Sequence, residues 1–347
     1  MNIIKRYLKV KTHKYRNVCY FNSPYSLLLY LCYTSEEEFN NTYFVFSETF
    51  PKDVAKNFCN SCFIPKYKEA KCLYVPKKWI ISKVYKCFFI PRITKATRIF
   101  CQDHSTMLQL LIGQHPYTLV AECADMAGLV LLHLPTEQKI LHWKSRIIDI
   151  INRLLIGPLY GHTLGGNALC SSVLVTDEES KKYLKGKTVT VLNIFDAWNK
   201  KTQAEKKGIL SLYGVCLSDL QMLKSKRIIV FTQPLVPDVT LEENKKYMVA
   251  LINKYPHKDV VIKIHPRDEI DYESLFPDVM VFKSRVPSQL LDMLGARFDI
   301  AATFFSTAVL DFSYDVRIDW YADELKQKLK FLNNIETFPR NVNKCKL

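Results

Sequence analysis

Short apolar runs alternate with stretches of helical periodicity in the second half of this 347-residue chain, and this alternation limits the fold more than any other feature. Four runs rich in Val, Ile, Phe and Ala are short enough to be buried strands: 227–233, 260–265, 279–283 and 298–304. Helical patterns at 242–255 and 289–294 separate them, and the last run leads into 305–310, which we predict to begin a helix. Strands joined by helices form parallel sheets, so this half is predicted to be an α/β, Rossmann-type domain.

The first half shows the same alternation less regularly. Its predicted strands are 18–21, 42–47, 98–101 and 118–121. Helices are predicted at 25–33 and 52–58, and an amphipathic helix with a basic face at 138–155. The composition changes between residues 157 and 207, where a glycine-rich segment at 157–166 is followed by polar stretches at 181–187 and 199–207. We therefore expect two domains, 1–185 and 208–347, with the boundary between residues 157 and 207.

The charge and the apolar runs limit the class of protein. Lys and Arg number 49 against 34 Asp and Glu, a formal net charge of +15, which calls for an anionic partner. We find neither an apolar stretch of the ~18–20 residues that a membrane span needs nor a secretory leader. The eleven cysteines are scattered, most of them in apolar runs, as reduced thiols are. The sequence therefore predicts a cytoplasmic protein.

Polar residues follow three of the predicted strands of the second half: Gln233 and Asp238, His265, and Ser306 with Thr307. Because the carboxyl ends of parallel strands share one edge of a sheet, we expect these residues to meet there. Two hydroxyls at a helix start favour an anion, and an ordinary helix cap is the alternative interpretation of Ser306.

Lys263 and His265 lie on one face of the predicted strand 260–265, because side chains alternate along a strand. A lysine inside a buried strand is costly without an anionic partner. We therefore expect both residues to face a phosphate, with Pro266 fixing the turn after the histidine.

Three segments of the second half resemble glycosyltransferase family 52, the bacterial lipooligosaccharide sialyltransferases: VFTQPLVPD (230–238), VVIKIHPR (260–267) and TFFSTAVL (303–310). Residues 18–29 resemble the first strand and helix of that family. The resemblance implies a GT-B fold, in which two Rossmann-like domains flank a cleft. It also implies an inverting transfer of sialic acid from CMP-sialic acid to a galactose-type hydroxyl, with an α2,3 linkage expected. Neither a metal nor a cofactor other than the donor is implied.

The resemblance also implies roles for individual residues of the C-terminal domain. Asp238 corresponds to the catalytic carboxylate, and His265 to the general acid at the CMP phosphate, a task suited to a pKa near neutrality. The remaining donor-side candidates are Ser306, Thr307, Lys263, Pro266, Arg267 and Gln289. The hydroxyls at 306 and 307 would hold the phosphate, and Lys263 and Arg267 the phosphate or the sialic acid carboxylate. Gln289 stands where relatives place a glutamate that reaches the ribose.

The N-terminal domain would then carry the acceptor side. Relatives have an acidic pair followed by glycine there, and this chain has Glu122-Cys123-Ala124 instead. Glu122 and Gln233 are the acceptor-side candidates. The polar segment 102–106 also follows a predicted strand, and no catalytic role is assigned to it.

Several alternatives remain open at this point. Within enzymes, the same scaffold could serve another sugar nucleotide or a polysialyltransferase. A nucleic-acid-binding protein fits the charge, but recognition motifs are lacking and the basic residues are dispersed. The expected acceptor is a galactose-terminated surface glycan, such as lipooligosaccharide, O-antigen or capsule, or a lipid-linked oligosaccharide. Peripheral contact with an anionic membrane and a homodimer are further expectations, and nucleic acid is not an expected partner.

Overall fold

The computed structural model describes residues 10–64, 74–124, 126–127, 150–151, 153–159, 164–215, 217–233, 239–265, 268–310, 312–325 and 343–344. The chain divides into two compact units, Met1–Glu205 and Lys206–Leu347. Among the described residues, no helix combines the length and apolar character that crossing a bilayer requires.

The N-terminal unit contains a parallel sheet with the strand order β3-β2-β1-β4-β5-β6-β7. Its strands are β1 (Asn17–Phe21), β2 (Thr42–Phe46), β3 (Ser61–Phe63), β4 (Arg98–Cys101), β5 (Tyr117–Val120), β6 (Cys170–Val175) and β7 (Thr188–Val191). Its helices are α1 (Pro24–Tyr33), α2 (Glu36–Asn40), α3 (Lys52–Ala55), α4 (Tyr74–Phe88), α5 (Thr106–Ile112) and α6 (Ile194–Lys200).

Local sequence explains where the first strand and helix meet. All five residues of β1 are buried, as is typical of a central parallel strand covered on both faces. The chain then turns at Ser23, whose side chain accepts a hydrogen bond from the Ser26 N–H and caps α1, while Pro24 occupies the first turn. The two residues before the helix, Asn22 and Ser23, are thus held at the carboxyl edge of the sheet.

The C-terminal unit repeats the arrangement with the order β10-β9-β8-β11-β12-β13, again with parallel strands. Its strands are β8 (Ile228–Phe231), β9 (Val260–Lys263), β10 (Met280–Phe282), β11 (Ile300–Thr303), β12 (Arg317–Trp320) and β13 (Asn343–Lys344). The helices after α6 are α7 (Gln203–Tyr213), which crosses the division, α8 (Leu217–Lys224), α9 (Leu241–Ile252), α10 (Tyr272–Leu275) and α11 (Ser288–Met293). A core of buried Val, Ile, Met and Phe lies between the sheet and α9.

Both sheets reverse their strand order at one position, which is the topological switch point of a Rossmann fold. In the N-terminal sheet the reversal lies between β1 and β4, and in the C-terminal sheet between β8 and β11. Loops that leave two such strands diverge and open a crevice, where open α/β sheets bind their ligands. The fold therefore directs attention to the residues that follow these four strands.

The structure confirms the α/β class and the predicted strands of both halves. Two predicted helices are shorter than expected: 52–58 is helical only over Lys52–Ala55, and 305–310 forms one 3₁₀ turn, Thr307–Leu310. The predicted helix 138–155 lies mostly outside the described residues, of which 150–151 and 153–155 are helical. Asp238, Pro266 and Arg267 also lie outside the described residues.

Candidate active site

The C-terminal strand-end cluster consists of Gln233, His265, Gln289 and Ser306. Gln233 follows β8 at the centre of the sheet, His265 follows β9 on one side of it, and Ser306 follows β11 on the other side. Gln289 lies in the first turn of α11, which begins after the next strand, β10. The parallel order therefore brings all four residues to one edge of one sheet.

A threonine after β8 holds the loop that carries the histidine. Thr232 is buried, and its N–H donates to the Lys263 carbonyl at 3.1 Å, which continues the pairing of β8 with β9. The Thr232 hydroxyl oxygen then accepts the N–H of His265 at 2.9 Å. A backbone donor at the end of β9 is thus satisfied by the neighbouring strand, and the position of residue 265 is fixed relative to β8.

A second threonine performs the same task on the other side of β8. The buried Thr303 hydroxyl donates to the Phe231 carbonyl at 3.3 Å and accepts the N–H of Ser306 at 3.1 Å. The loop that leaves β11 is therefore held against β8. Two hydroxyls together position His265 and Ser306 on opposite sides of the central strand.

The turn after the histidine is built from short polar contacts. The Asp268 N–H donates to the His265 carbonyl at 2.9 Å, and the Asp268 carboxylate accepts the Tyr272 hydroxyl at 2.8 Å and the Ile270 N–H at 3.1 Å. Burial raises the pKa of Tyr272, and the neighbouring Asp268 adds to this, so the phenol stays protonated and remains a donor. The His265 residue itself is half-buried.

Two buried side-chain amides of the cluster have polar atoms to which no described residue bonds. Gln289 is 2% exposed, and neither its Oε1 nor its Nε2 has a hydrogen-bond partner in the described part of the chain. The Oε1 atom of Gln233 is also buried and has no hydrogen-bond partner among the described residues. An unsatisfied buried amide costs about 1–3 kcal/mol, so such groups collect where a ligand or water completes them.

Lys263 makes an intramolecular contact. Its Nζ donates to the Ser284 carbonyl at 2.9 Å, beyond the end of β10, and it lies 5.8 Å from the centre of the Phe282 ring. Burial, with a smaller contribution from the charge of Arg285, lowers the pKa of Lys263 to about 7. The side chain thus fixes the segment that leads to α11 and Gln289, while its predicted contact with a donor phosphate stays a prediction.

The hydroxyl pair at 306–307 lies at the start of a short 3₁₀ turn, where the sequence predicts the start of a helix. The Ser306 hydroxyl oxygen accepts the Ala308 N–H at 3.4 Å, which is a local turn contact. The turn that follows has four residues and is of the 3₁₀ type, so few aligned peptide dipoles point at this position. The Thr307 side chain lies outside the described residues. A phosphate at Ser306 would therefore rest on individual donors and gain little from a helix dipole.

The N-terminal strand-end cluster consists of Asn22, His104 and Glu122, which follow β1, β4 and β5. The Asn22 side-chain amide donates to Nε2 of His104. The Nδ1 atom of His104 lies 3.1 Å from Oε2 of Glu122. Because Nε2 accepts, the proton of the neutral ring is on Nδ1 and is donated to the carboxylate. A half-exposed imidazole and carboxylate are thereby oriented at the switch point of the N-terminal sheet.

A glutamine holds the ends of β1 and β4 together beneath this cluster. The buried Gln102 accepts the N–H of Asn22 at 2.7 Å and that of Ser23 at 3.2 Å through Oε1. These bonds place the residue that precedes His104 by two positions against the strand that carries Asn22. The contact between Asn22 and His104 follows from this arrangement.

The next residue, Asp103, anchors the same loop from below. Its buried carboxylate accepts the N–H groups of Leu164 at 2.7 Å and Gly165 at 2.9 Å, and the Tyr117 hydroxyl at 2.8 Å. Leu164 and Gly165 have positive φ angles of 53° and 82°, and two such residues in succession direct their N–H groups at one anion. A Cβ at residue 165 would come within 3.2 Å of the Leu184 side chain, and this close approach together with the positive φ angle favours glycine there.

Sequence reasoning selected Glu122 but assigned no role to the segment that contains its partner. His104 and Glu122 are eighteen positions apart, and only the register of β4 and β5 brings them together. The available signal was positional, since His104 and Glu122 follow two successive predicted strands, 98–101 and 118–121. The structure places Gln233, His265 and Ser306 just after strands and Gln289 at a helix start, whereas their roles in a site stay predictions.

Solved structures with this architecture include bacterial sialyltransferases. The 2,6-sialyltransferase of Photobacterium sp. JT-ISH-224, solved with CMP and lactose, has a TM-score of 0.56 at 13% identity, over 94% of this chain and 78% of that chain. The GT-B domain of a Photobacterium damselae sialyltransferase has a TM-score of 0.53 at 15% identity, over 92% and 97%. At such identities the likeness shows the fold, and it confirms the predicted GT-B type.

The chain belongs to glycosyltransferase family 52, whose model matches residues 148–328. This match contains the three segments on which the family resemblance was based and confirms it. A relative from Haemophilus influenzae, itself described only as an uncharacterized protein, is 29% identical over 317 residues, which are 89% of this chain and 95% of that protein.

The buried lysine predicts a pH-dependent stability. The folded-state pKa of about 7 lies below the ordinary value of 10.5, so the unfolded chain binds more protons between these values. Stability therefore rises with pH across that window, by up to about 1.4 kcal/mol per pH unit, and the destabilisation is complete below it. Between about pH 7 and about pH 9, the melting temperature of the native protein should rise relative to that of Lys263→Met. Equal pH profiles would contradict this, and Lys226→Met, whose lysine also donates to a carbonyl but is solvent-accessible, is the control.

The Asp103 anchor predicts a large loss of stability on truncation. Asp103→Ala removes the acceptor of two buried N–H groups and one buried hydroxyl, which should lower the free energy of unfolding by about 2–4 kcal/mol in urea titrations. Asp177→Ala is the matched control, because among the described residues that carboxylate accepts hydrogen bonds from Ser180 in its own turn and from no distant loop. A loss no larger than in the control would show that the loop is held by other contacts.

Proposed function

We propose that the protein is an inverting sialyltransferase, which moves sialic acid from CMP-sialic acid to a galactose-type hydroxyl of a surface glycan. The observation that supports this most is the C-terminal strand-end cluster, in which two threonine hydroxyls hold His265 and Ser306 on either side of the central strand. Membership of glycosyltransferase family 52 supplies the reaction class. The sugar acceptor, the α2,3 linkage and a cytoplasmic location belong to the same proposal.

The chemistry needs two proton-handling groups. The acceptor oxygen attacks the anomeric carbon of sialic acid, the bond from that carbon to the CMP phosphate breaks, and CMP leaves with the electron pair. His265, protonated, would donate to the leaving phosphate, for which an imidazole is suited near neutral pH. Ser306 would hold a phosphate oxygen, and the amide of Gln289 would bond a ribose hydroxyl. Inversion follows from attack opposite the leaving group.

Two carboxylates compete for the role of base that takes the acceptor proton. Asp238 matches the family motif that follows β8. Glu122 is the other candidate, and its support is the contact with His104, which orients Oε2 of the carboxylate. Lys263 would act through Ser284 as a positioning residue, and Arg267 remains a candidate for the sialic acid carboxylate.

The donor-side assignment predicts a strong effect of the histidine. His265→Ala should lower the transfer rate by about 10²–10⁴-fold while the melting temperature stays close to that of the native protein, because the residue is at a strand end. His257→Ala is the control, since that histidine lies before β9 at the opposite edge and pairs with Asp278. Transfer would be followed as CMP released from CMP-sialic acid with and without a galactoside.

The same assay has outcomes that would overturn the proposal. An unchanged rate in His265→Ala would remove the mechanism. Release of CMP without a galactoside would show hydrolysis alone, and turnover of another sugar nucleotide in place of CMP-sialic acid would favour the alternative glycosyltransferase. Because no metal step is proposed, dialysis against EDTA should leave the rate unchanged, and loss of activity would point to a metal-dependent mechanism.

A pair of substitutions identifies the base. If Asp238 takes the proton, Asp238→Asn should lower the turnover by about 10²-fold or more, and Glu122→Gln should chiefly raise KM for the acceptor. The reverse pattern would assign the base to Glu122. The isosteric Glu37→Gln, at an exposed ion pair with Arg16, is the control for loss of a carboxylate charge.

A further inference from the structure

Helix α4 exposes several large apolar side chains to solvent and buries one of its lysines. Ile80 is 59% exposed, Val84 45% and Phe88 51%, whereas Lys78 is 7% exposed and pairs with Glu48 at 3.5 Å. Scattered exposed apolar residues need no explanation, but several large ones on a single helix do.

The exposed apolar residues form one continuous stripe. Positions 80, 84 and 88 are spaced by four and therefore lie above one another on the same helix face. Phe89, 42% exposed, extends the row just past the end of the helix. We name Ile80, Val84, Phe88 and Phe89 the α4 stripe.

Basic residues flank the stripe, and the sequence segment that contains it has no acidic residue. Lys77 and Lys83 are exposed on either side of it, and Lys83 Nζ lies 5.1 Å from the centre of the Trp79 ring. Between Tyr74 and Gln102 the sequence contains no Asp or Glu, and its basic residues there are Lys77, Lys78, Lys83, Lys86, Arg92, Lys95 and Arg98. An apolar row between cations is the pattern of helices that lie in a lipid interface.

The charge pattern selects among the surfaces that could cover such a row. A second copy of the chain would bring like charges together, because a two-fold contact places the same patch on both sides and each chain has a formal net charge of +15. Nucleic acid would satisfy the lysines but offers a phosphate backbone to the apolar centre. An anionic bilayer satisfies both, since its headgroups attract the lysines and its acyl boundary accepts the apolar side chains.

We propose that the α4 stripe seats the protein on an anionic lipid surface, with Ile80, Val84 and the adjoining phenylalanines inserted and Lys77 and Lys83 at the headgroups. This proposal is independent of the transferase mechanism. It identifies which surface of the protein meets the membrane.

Flotation with lipid vesicles tests the proposal directly. The full chain should float with vesicles of phosphatidylcholine mixed with phosphatidylglycerol, and should stay in the dense fraction with phosphatidylcholine alone. Ile80→Asp/Val84→Asp should abolish flotation. Replacing Lys77 or Lys83 with Gln should weaken partitioning by about fivefold for each lysine, and added salt should weaken it further.

Matched controls separate this effect from a loss of charge or of folding. Met222→Asp/Leu241→Asp introduces the same two negative charges at exposed apolar residues of the other unit, and should float like the native protein. Melting curves establish that each variant is folded, and turnover with a soluble galactoside should be the same in the α4 variant and the native chain. Turnover absent from both would overturn the proposed function and leave the lipid proposal intact.

Three results would overturn the lipid proposal. The first is equal flotation of the native chain and Ile80→Asp/Val84→Asp. The second is absence of flotation of the native chain with anionic vesicles. The third is concentration-dependent self-association in sedimentation experiments that Ile80→Asp/Val84→Asp abolishes while vesicle binding is unchanged, which would assign the stripe to a second copy of the chain.

Discussion

Parallel pairing of β8 with β9 on one side and β11 on the other is the constraint from which the candidate active site follows. Because of this pairing, three loops leave the sheet at the same edge. The N–H groups of His265 and Ser306 lie beyond the last backbone hydrogen bonds between the strands. The hydroxyls of Thr232 and Thr303 accept these N–H groups, so His265 and Ser306 are held by the central strand. Two residues of the site are therefore bonded to the buried sheet beneath them, and such positioning is what preorganised donors at a developing charge require.

In the N-terminal unit, a side-chain amide and a carboxylate, in place of threonine hydroxyls, hold the loop that follows a strand. The side-chain amide of Gln102 and the carboxylate of Asp103 hold the loop that leaves β4. Because this loop is held, His104 lies in contact with Glu122. The two strand-end clusters differ in chemistry in a way that suits different tasks. One has an imidazole and two amides with buried polar atoms to which no described residue bonds, for which we propose a phosphate and a ribose. The other has a carboxylate in contact with an imidazole, for which we propose a sugar hydroxyl.

Sequence patterns predicted β1, β2, β4, β5 and β8 to β11 because each is a short apolar run, and they missed β3, β6, β7, β12 and β13, which are shorter or contain polar residues. They placed His265 at the end of a strand, whereas Gln289 was selected through the family resemblance. They did not predict that Lys263 Nζ donates to the Ser284 carbonyl beyond the end of β10, since alternation along a strand indicates only the face on which a side chain lies. The helix predicted to begin within 305–310 is only one 3₁₀ turn of four residues, Thr307–Leu310. The contact between His104 and Glu122 depends on the pairing of β4 with β5, which one sequence does not contain.

A crystal of the protein soaked with CMP would show whether the C-terminal strand-end cluster binds the donor nucleotide. We expect the phosphate of CMP at the carboxyl edge of the C-terminal sheet, with an oxygen within hydrogen-bond distance of both the His265 imidazole and the Ser306 hydroxyl, and the ribose at the Gln289 amide. Ordered CMP at any other place, or an imidazole directed away from the phosphate, would contradict this expectation.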